Sequence, residues 1–246
     1  MIDLHCHILA AVDDGAPDLE AAIQIATALT ELGYHTVAAS PHLGGGPGGD
    51  VPPEAAAAAR GLLTTALAAR NMALRVLANA EHHLVPDLLQ RIETGGIVPI
   101  GGNTNWLLVE LPWSPLPMLE ALLFHLQARD FRLLLAHPER HTWLDPVTLS
   151  TWIARGVRTQ AELGSCVGAY GAAARTCAFR LVEQGLVHVL ASDIHRPEEV
   201  QTAVGGGMAS VAKHFGQVAL ERGSSANPAA ILRNAAVTEI PPLVEK

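Results

Sequence analysis

"MIDLHCHILAAVDDG", residues 1–15, sets two imidazoles and two carboxylates around a segment that otherwise reads as a buried strand. In a strand, residues i and i+2 share a face. His5 and His7 therefore point together, and Cys6 points away. Asp14 falls on the loop that leaves the strand, above its end; Asp13 reads as a turn residue ahead of Gly15. Isolated polar and charged groups crowded into an apolar setting carry a heavy desolvation cost, and cations placed among them remove it. That reading holds only if other strands bring similar side chains to the same end.

Seven apolar segments read as strands, at 2–7, 36–40, 74–80, 106–111, 133–136, 157–161 and 187–191. Most are continuous apolar runs, as expected of parallel strands covered on both faces. Helical patterns lie between and after them, at 18–32, 53–70, 116–129, 145–155, 170–184, 198–215 and 227–233. Pro17-Asp18 and Gly33 are start and stop signals for the first. The alternation predicts an α/β fold, a distorted TIM-like (β/α)7 barrel formed by one domain over residues 1–246. An open doubly wound sheet is the alternative. The glycine-rich loop 44–50 is read as flexible. It is not a phosphate cradle, because no GK[ST] follows it.

Nearly every predicted strand delivers a metal-capable side chain where it ends: His5 and His7, His42, Glu81, Glu110, His137, and Asp193 with His195. The C-terminal ends of parallel strands are where barrels and open α/β sheets both build their sites. With Asp14 this makes nine candidate ligands, enough for two or three divalent ions when carboxylates bridge. Mixed imidazole and carboxylate donors suit manganese, iron or zinc without choosing among them. Glu162 ends the sixth strand. Each signal has a plainer reading: an HxH pair satisfied in a core, Asp14 as a turn residue, His42 in a loop, Arg140 paired with Glu139. His82, His83 and His141 are read as supporting or exposed.

Composition narrows the partners. The chain has 246 residues, a formal charge of −8 and 4% aromatic residues. Its two lysines are Lys213 and Lys246. It lacks the basic footprint and the stacking platforms of a nucleic-acid binder. No apolar run approaches the roughly 20 residues of a membrane span, and no signal-peptide pattern is present. Three cysteines without CxxC spacing argue against a disulfide framework. The expectation is a cytoplasmic protein without nucleic-acid or membrane partners; a homo-oligomer is left open.

The ordered pieces "MIDLHCHILAAVDDGAPDLE" (1–20), "ASPH" (39–42), "ANAEHHL" (78–84), "LLVELP" (107–112), "LLAHPERH" (134–141), "GLVHVLASDIH" (185–195) and "NPAAIL" (227–232) resemble the PHP (polymerase and histidinol phosphatase) family. Within it, the chain is most similar to bacterial manganese-dependent protein-tyrosine phosphatases of capsule and exopolysaccharide operons. The resemblance implies a distorted seven-stranded barrel with a trinuclear site, manganese first, on the same nine residues. It implies phosphate handling by Arg140 and, more loosely, Arg196. A tyrosine-kinase tail would be the substrate and a metal-bound hydroxide the nucleophile, with help from the metals or His195 for the leaving phenolate. Three departures stand out: the glycine-rich loop after His42, Glu162 where Asn is expected, and His141 where Tyr is common.

Rival readings are a small-molecule phosphatase, such as one for histidinol phosphate, and a metal-holding module without turnover. An amidohydrolase barrel also opens with HxH, but neither lysine stands at a strand end to bridge metals. No cysteine begins a C-x5-R pattern, so a thiol-based phosphatase is excluded.

Overall fold

The computed structural model describes residues 1–45 and 49–242. The remaining part of the predicted flexible loop, 46–48, lies outside the described residues. Among the described residues nine strands are present: β1 (Ile2–Cys6), β2 (Thr36–Ala39), β3 (His42–Leu43), β4 (Arg75–Ala78), β5 (Glu81–His83), β6 (Trp106–Glu110), β7 (Arg132–Leu135), β8 (Arg158–Glu162) and β9 (Val189–Ala191). Seven of them match the predicted strands, and β3 and β5 are short continuations past the predicted ends of the second and third. β2 stops at Ser40-Pro41 and resumes as β3; β4 stops at Asn79-Ala80 and resumes as β5. All pairings are parallel, in the orders β1-β2-β4 and β3-β5-β6-β7-β8-β9.

The ring closes between its ends. Cys6 bridges Ile194. His7 donates its backbone N–H to Ile194 (3.1 Å), and Asp193 donates to the His5 carbonyl (2.9 Å). An open sheet is thereby excluded, and the chain forms a distorted seven-stave barrel. The helices are α1 (Leu19–Glu31), α2 (Pro53–Ala69), α3 (Leu88–Glu93), α4 (Leu119–Gln127), α5 (Pro146–Ala154), α6 (Leu163–Val167), α7 (Ala172–Glu183), α8 (Gly206–Phe215), α9 (Gln217–Glu221) and α10 (Asn227–Leu232). Short α3, α6 and α9 escaped the periodicity reading. The stretch predicted as one helix over 198–215 opens with a wide turn, Val200–Gly205, before α8.

The staves alternate strictly although their sequences do not. Leu107 and Val109 pack outward against the helices, while Trp106 and Leu108 join Ile2, Leu4, Ala38 and Leu134 inside the ring. Glu110 continues the inward series above Leu108. Leu77, Asn79 and Glu81 repeat the pattern, as do Ala38, Ser40 and His42. An apolar plug thus fills the barrel base, and polar residues fill its mouth.

β1 needs a device to do this, because Leu4 and His5 are adjacent and both serve the interior. The register to β2 shifts between Asp3 and Cys6, a bulge that resets the alternation. The Leu4 carbonyl accepts from Ser40 Oγ (3.3 Å) and from Asn79 Nδ2 (3.0 Å), the two side chains at the strand breaks. Buried Asp3 accepts from the backbone N–H groups of His5 and Ser192, both at 3.2 Å, and from the Ser192 hydroxyl. Its carboxyl is pushed up by burial to about 6, against the pull of those bonds.

Helices α6 and α8 meet at Gly207, where a Cβ would stand 2.3 Å from the Leu163 carbonyl oxygen. Alanine favours a helix over glycine by up to about 1 kcal/mol. The clash outweighs that gain. Gly207→Ala should destabilise the fold by about 1–3 kcal/mol, read as a lower urea midpoint with an unchanged slope; an unchanged or higher midpoint would refute the close approach.

Candidate metal centre

Nine predicted residues reach one rim. His5 and His7 Nε2 atoms lie 3.1 Å apart. Asp193 Oδ1 stands 3.0 Å from the first and 3.2 Å from the second. Glu81 Oε2 is 3.4 and 3.5 Å from the same two nitrogens and 3.1 Å from His42 Nδ1. Glu81 Oε1 meets His137 Nε2 at 2.9 Å. Asp14 Oδ1 lies 3.2 Å from His42 Nε2 and 3.4 Å from His195 Nε2. The His195 ring stacks on His7, centroids 4.0 Å apart. Glu110 joins His42 and Glu81 in a third grouping.

Four groups of donor atoms result, the first three sharing members: His7–Asp14–His42–His195, His5–His7–Glu81, His42–Glu81–Glu110 and His137–Glu162–Asp193. All nine residues are represented, and Glu162 is a tenth. The donor set fits divalent ions. Two imidazole nitrogens facing each other at 3.1 Å can share at most one proton, and Glu162 Oε2 and His137 Nδ1 are buried without a hydrogen-bond partner. Buried donors and acceptors of this kind are rarely left unpaired.

Several ring nitrogens opposite the rim are held. His7 Nδ1 pairs with Asp13 Oδ2 (2.9 Å), and His195 Nδ1 with the Asp193 carbonyl (2.9 Å). His5 Nδ1 faces the Gln160 amide at 2.8 Å, while Gln160 Oε1 lacks a partner. A half-turn of that amide lets Oε1 accept an Nδ1–H, which would leave His5 Nε2 its lone pair. His83 Nδ1 steadies Glu110 at 2.9 Å. Asp13 does more than turn the chain: it also accepts from the backbone of Gly15 (3.0 Å) and His42 (3.3 Å). Gly15 is required there, since a Cβ would lie 2.2 Å from the His7 carbonyl oxygen. The Asp-Asp pair was the available signal for Asp13; nothing marked Gln160.

Arg140 does not pair with Glu139. Its Nη1 sits 3.1 Å from both Glu162 Oε1 and Asp193 Oδ2. Glu139 instead accepts the Glu162 backbone N–H at 2.9 Å. Burial and the neighbouring Asp193 push the Glu162 carboxyl well above its ordinary value, against the pull of Arg140. Arg196 donates Nη1 to the Gly15 carbonyl and is not among the residues lining the rim cavity. His82 is bound to the Leu108 carbonyl (2.9 Å) and the Val98 N–H (3.2 Å), away from the rim donors. His141 is buried, and burial with nearby His137 and Arg140 lowers its pKa to about 3.

A family model for capsular polysaccharide synthesis proteins, CpsB/CapC, matches residues 1–233. The chain belongs to the CpsB/CapC family. It is 31% identical over 245 residues to the tyrosine-protein phosphatase YwqE of Bacillus subtilis strain 168, covering 98% of this chain and 95% of that protein. It superposes with a TM-score of 0.88, at 30% identity and over the full length of both chains, on a structure solved in work on YwqE from B. subtilis and CpsB from Streptococcus pneumoniae, metal-dependent tyrosine phosphatases. An inactive dihydroorotase-like domain of Chaetomium thermophilum shares the barrel alone, with a TM-score of 0.55 at 12% identity, covering 94% of this chain and 78% of that one. Among the described residues no helix is long and apolar enough to cross a membrane.

In this CpsB/CapC chain the rim carboxylates raise the pKa of His5, His7, His42 and His137 against the effect of burial. Burial alone would lower the His5 pKa, but Asp193 and Glu81 outweigh it and raise the value from 6.5 to about 9. Asp14, beside His195, is held down at about 2. In protein stripped of divalent ions, the His5 contribution to stability is complete below pH 6.5 and fades as pH rises through 9. Urea midpoints of chelated protein should lose this contribution across that window. Adding a divalent ion at pH 8 should release protons, measurable with an indicator in weak buffer, because a ligand imidazole must be neutral. Binding without release would mean that the imidazoles were neutral beforehand.

Proposed function

We propose that the chain is a metal-dependent protein-tyrosine phosphatase, a phosphoric monoester hydrolase working as a single domain across residues 1–246. The observation that carries this is the convergence of four imidazoles on the Glu81 carboxylate beside an arginine that lines the same cavity. The similarity to YwqE and CpsB supports the substrate class. The metal ligands in this reading are His5, His7, Asp14, His42, Glu81, Glu110, His137, Asp193 and His195. Arg140 Nη1 already stands as the cation between Glu162 and Asp193. Nine donors with shared carboxylates suit two or three ions, manganese first and iron or zinc as alternatives. Such ions, when bound, supply Lewis acidity: they lower the pKa of a coordinated water from 15.7 to about 7 and neutralise phosphoryl oxygens.

The chain's own groups do the rest. Arg140 offers its planar fork to the phosphoryl oxygens, with Nη1 anchored so that little order is lost on binding. His195, with Nδ1 on a backbone carbonyl, presents Nε2 to a metal, and the leaving phenolate, whose conjugate acid has a pKa of about 10, needs no strong general acid. Arg196 acts through the loop it ties down, which carries Asp13 and Asp14. No thiol serves as nucleophile: burial pushes Cys6 well above its ordinary value and Cys166 up to about 12. The unpaired cysteines support a reducing cytoplasmic setting. A phosphorylated bacterial tyrosine-kinase tail is the proposed partner.

The test is turnover of a phosphotyrosine peptide and of histidinol phosphate by stripped protein and by protein reloaded with manganese, iron or zinc. Stripping and His137→Ala should abolish activity. Arg140→Ala should cost about 2–4 kcal/mol of transition-state stabilisation, comparable to removing an oxyanion donor. Arg196→Ala should cost less. Turnover that survives complete chelation would refute the mechanism, and preference for histidinol phosphate would refute the substrate.

A further inference from the structure

The cavity over the rim measures about 110 Å³. The metal ions proposed for the rim would share this small space with the phosphoryl group of a phosphate ester. A tyrosine ring carried by that ester must lie outside it. Two aromatic side chains stand where it would emerge. Trp113, 45% exposed on the loop after β6, and Tyr170, 39% exposed ahead of α7, flank Arg140. The guanidinium carbon lies 5.3 Å from the Trp113 ring centre and 4.3 Å from that of Tyr170. The His141 ring backs Trp113 with centroids 5.0 Å apart. Exposed aromatic rings on a loop cost hydrophobic surface, and these two are fixed by cation–π contacts to the arginine that lines the site.

Trp113 and Arg140 also line a second cavity of about 620 Å³, which runs from the mouth between the β7–α5 loop and α7, past Tyr170 and Cys177 to Arg180. The two spaces therefore join at the Trp113–Arg140 step. The lower one is polar and small. The upper one is large enough for a peptide and has aromatic walls.

We propose that the Trp113–Arg140–Tyr170 step is a ring-binding subsite that selects aryl over alkyl phosphomonoesters, with the peptide carrying the ring lying in the adjoining groove. Trp113 packs on the substrate's phenyl ring, and Tyr170 holds the guanidinium from its other side. The proposal rests on the phosphatase reading above and specifies its substrate as an aromatic phosphate ester presented on a polypeptide.

The experiment compares kcat/KM for one peptide synthesised with phosphotyrosine or with phosphoserine at the same position, using manganese-loaded protein. Trp113→Ala should lower the phosphotyrosine-to-phosphoserine ratio about tenfold, the worth of a stacked ring pair, mainly through KM for the phosphotyrosine form. Trp113→Phe should restore most of it. In unmutated protein, phenylphosphonate should inhibit about tenfold more tightly than methylphosphonate, a measurement independent of whether any variant folds. Equal inhibition by the two phosphonates, or an equal loss on both peptides in Trp113→Ala, overturns the ring subsite while leaving the phosphatase assignment standing. Absence of phosphotyrosine turnover in unmutated protein with every metal overturns both.

Discussion

Glu81 is asked to satisfy four imidazoles at once. One of its oxygens faces His137 and the other faces His5, His7 and His42, all within 2.9–3.5 Å. These histidines come from two neighbouring staves, at the ends of β1 and in β3, and from one farther round the ring, at the end of β7, so the barrel must close and its strands must end at one height. A buried carboxylate in such company stays ionised: burial pushes its pKa up, but the surrounding imidazoles overcome this and hold it well below the ordinary range. That charge in turn raises the pKa of the four imidazoles around it, so a divalent ion entering the mouth of the barrel competes with protons for the same nitrogens.

The supports around this cluster follow from the need to aim nitrogens. An imidazole presents Nε2 as a donor atom only if Nδ1 carries the proton, and a partner on Nδ1 fixes that tautomer and the ring's angle. Asp13 does this for His7, the Asp193 carbonyl does it for His195, and a turned Gln160 amide can do it for His5. Beneath them, Asp3 and Ser192 lash β1 to the end of β9. Loosening that clamp would shift His5 and Asp193 together, because Asp3 also holds the His5 backbone.

The parts of this design that were readable in the sequence are those set by short-range geometry. HxH and DxH at strand ends share a face by the period of two, and loops at the C-terminal ends of parallel strands gather by topology. The parts that were not readable depend on contacts across the ring. The continuations β3 and β5 lie beyond the predicted strand ends at residues 40 and 80, after breaks where Ser40 and Asn79 turn inward to the Leu4 carbonyl. The arginine at 140 was visible, but its pairing with Glu162 and Asp193 in place of adjacent Glu139 is a matter of which way the chain leaves β7. Arg196 reads as a site residue by position, yet its guanidinium reaches a backbone carbonyl that only the fold brings near. Helices of five or six residues carry too little periodicity to register and are held by packing.

His137 shows how far the ring bends local rules to complete the cluster. Leu134 and Ala136 point into the barrel, so the alternation would send the next inward place to Pro138 and turn His137 toward the helices. The chain resolves this with a left-handed backbone at His137, φ 31° and ψ 53°. Such a conformation costs an ordinary residue roughly 1–2 kcal/mol, though His and Asp tolerate it better than most. Asp193, the other carboxylate that touches His5 and His7, is left-handed too, with φ 49°. Glycine would relax the backbone at either position, but it would remove a side chain that the Glu81 cluster requires. Strain at the ends of β7 and β9 is thus stored where ligands are presented, and the closed, apolar lower half of the barrel is what keeps it there.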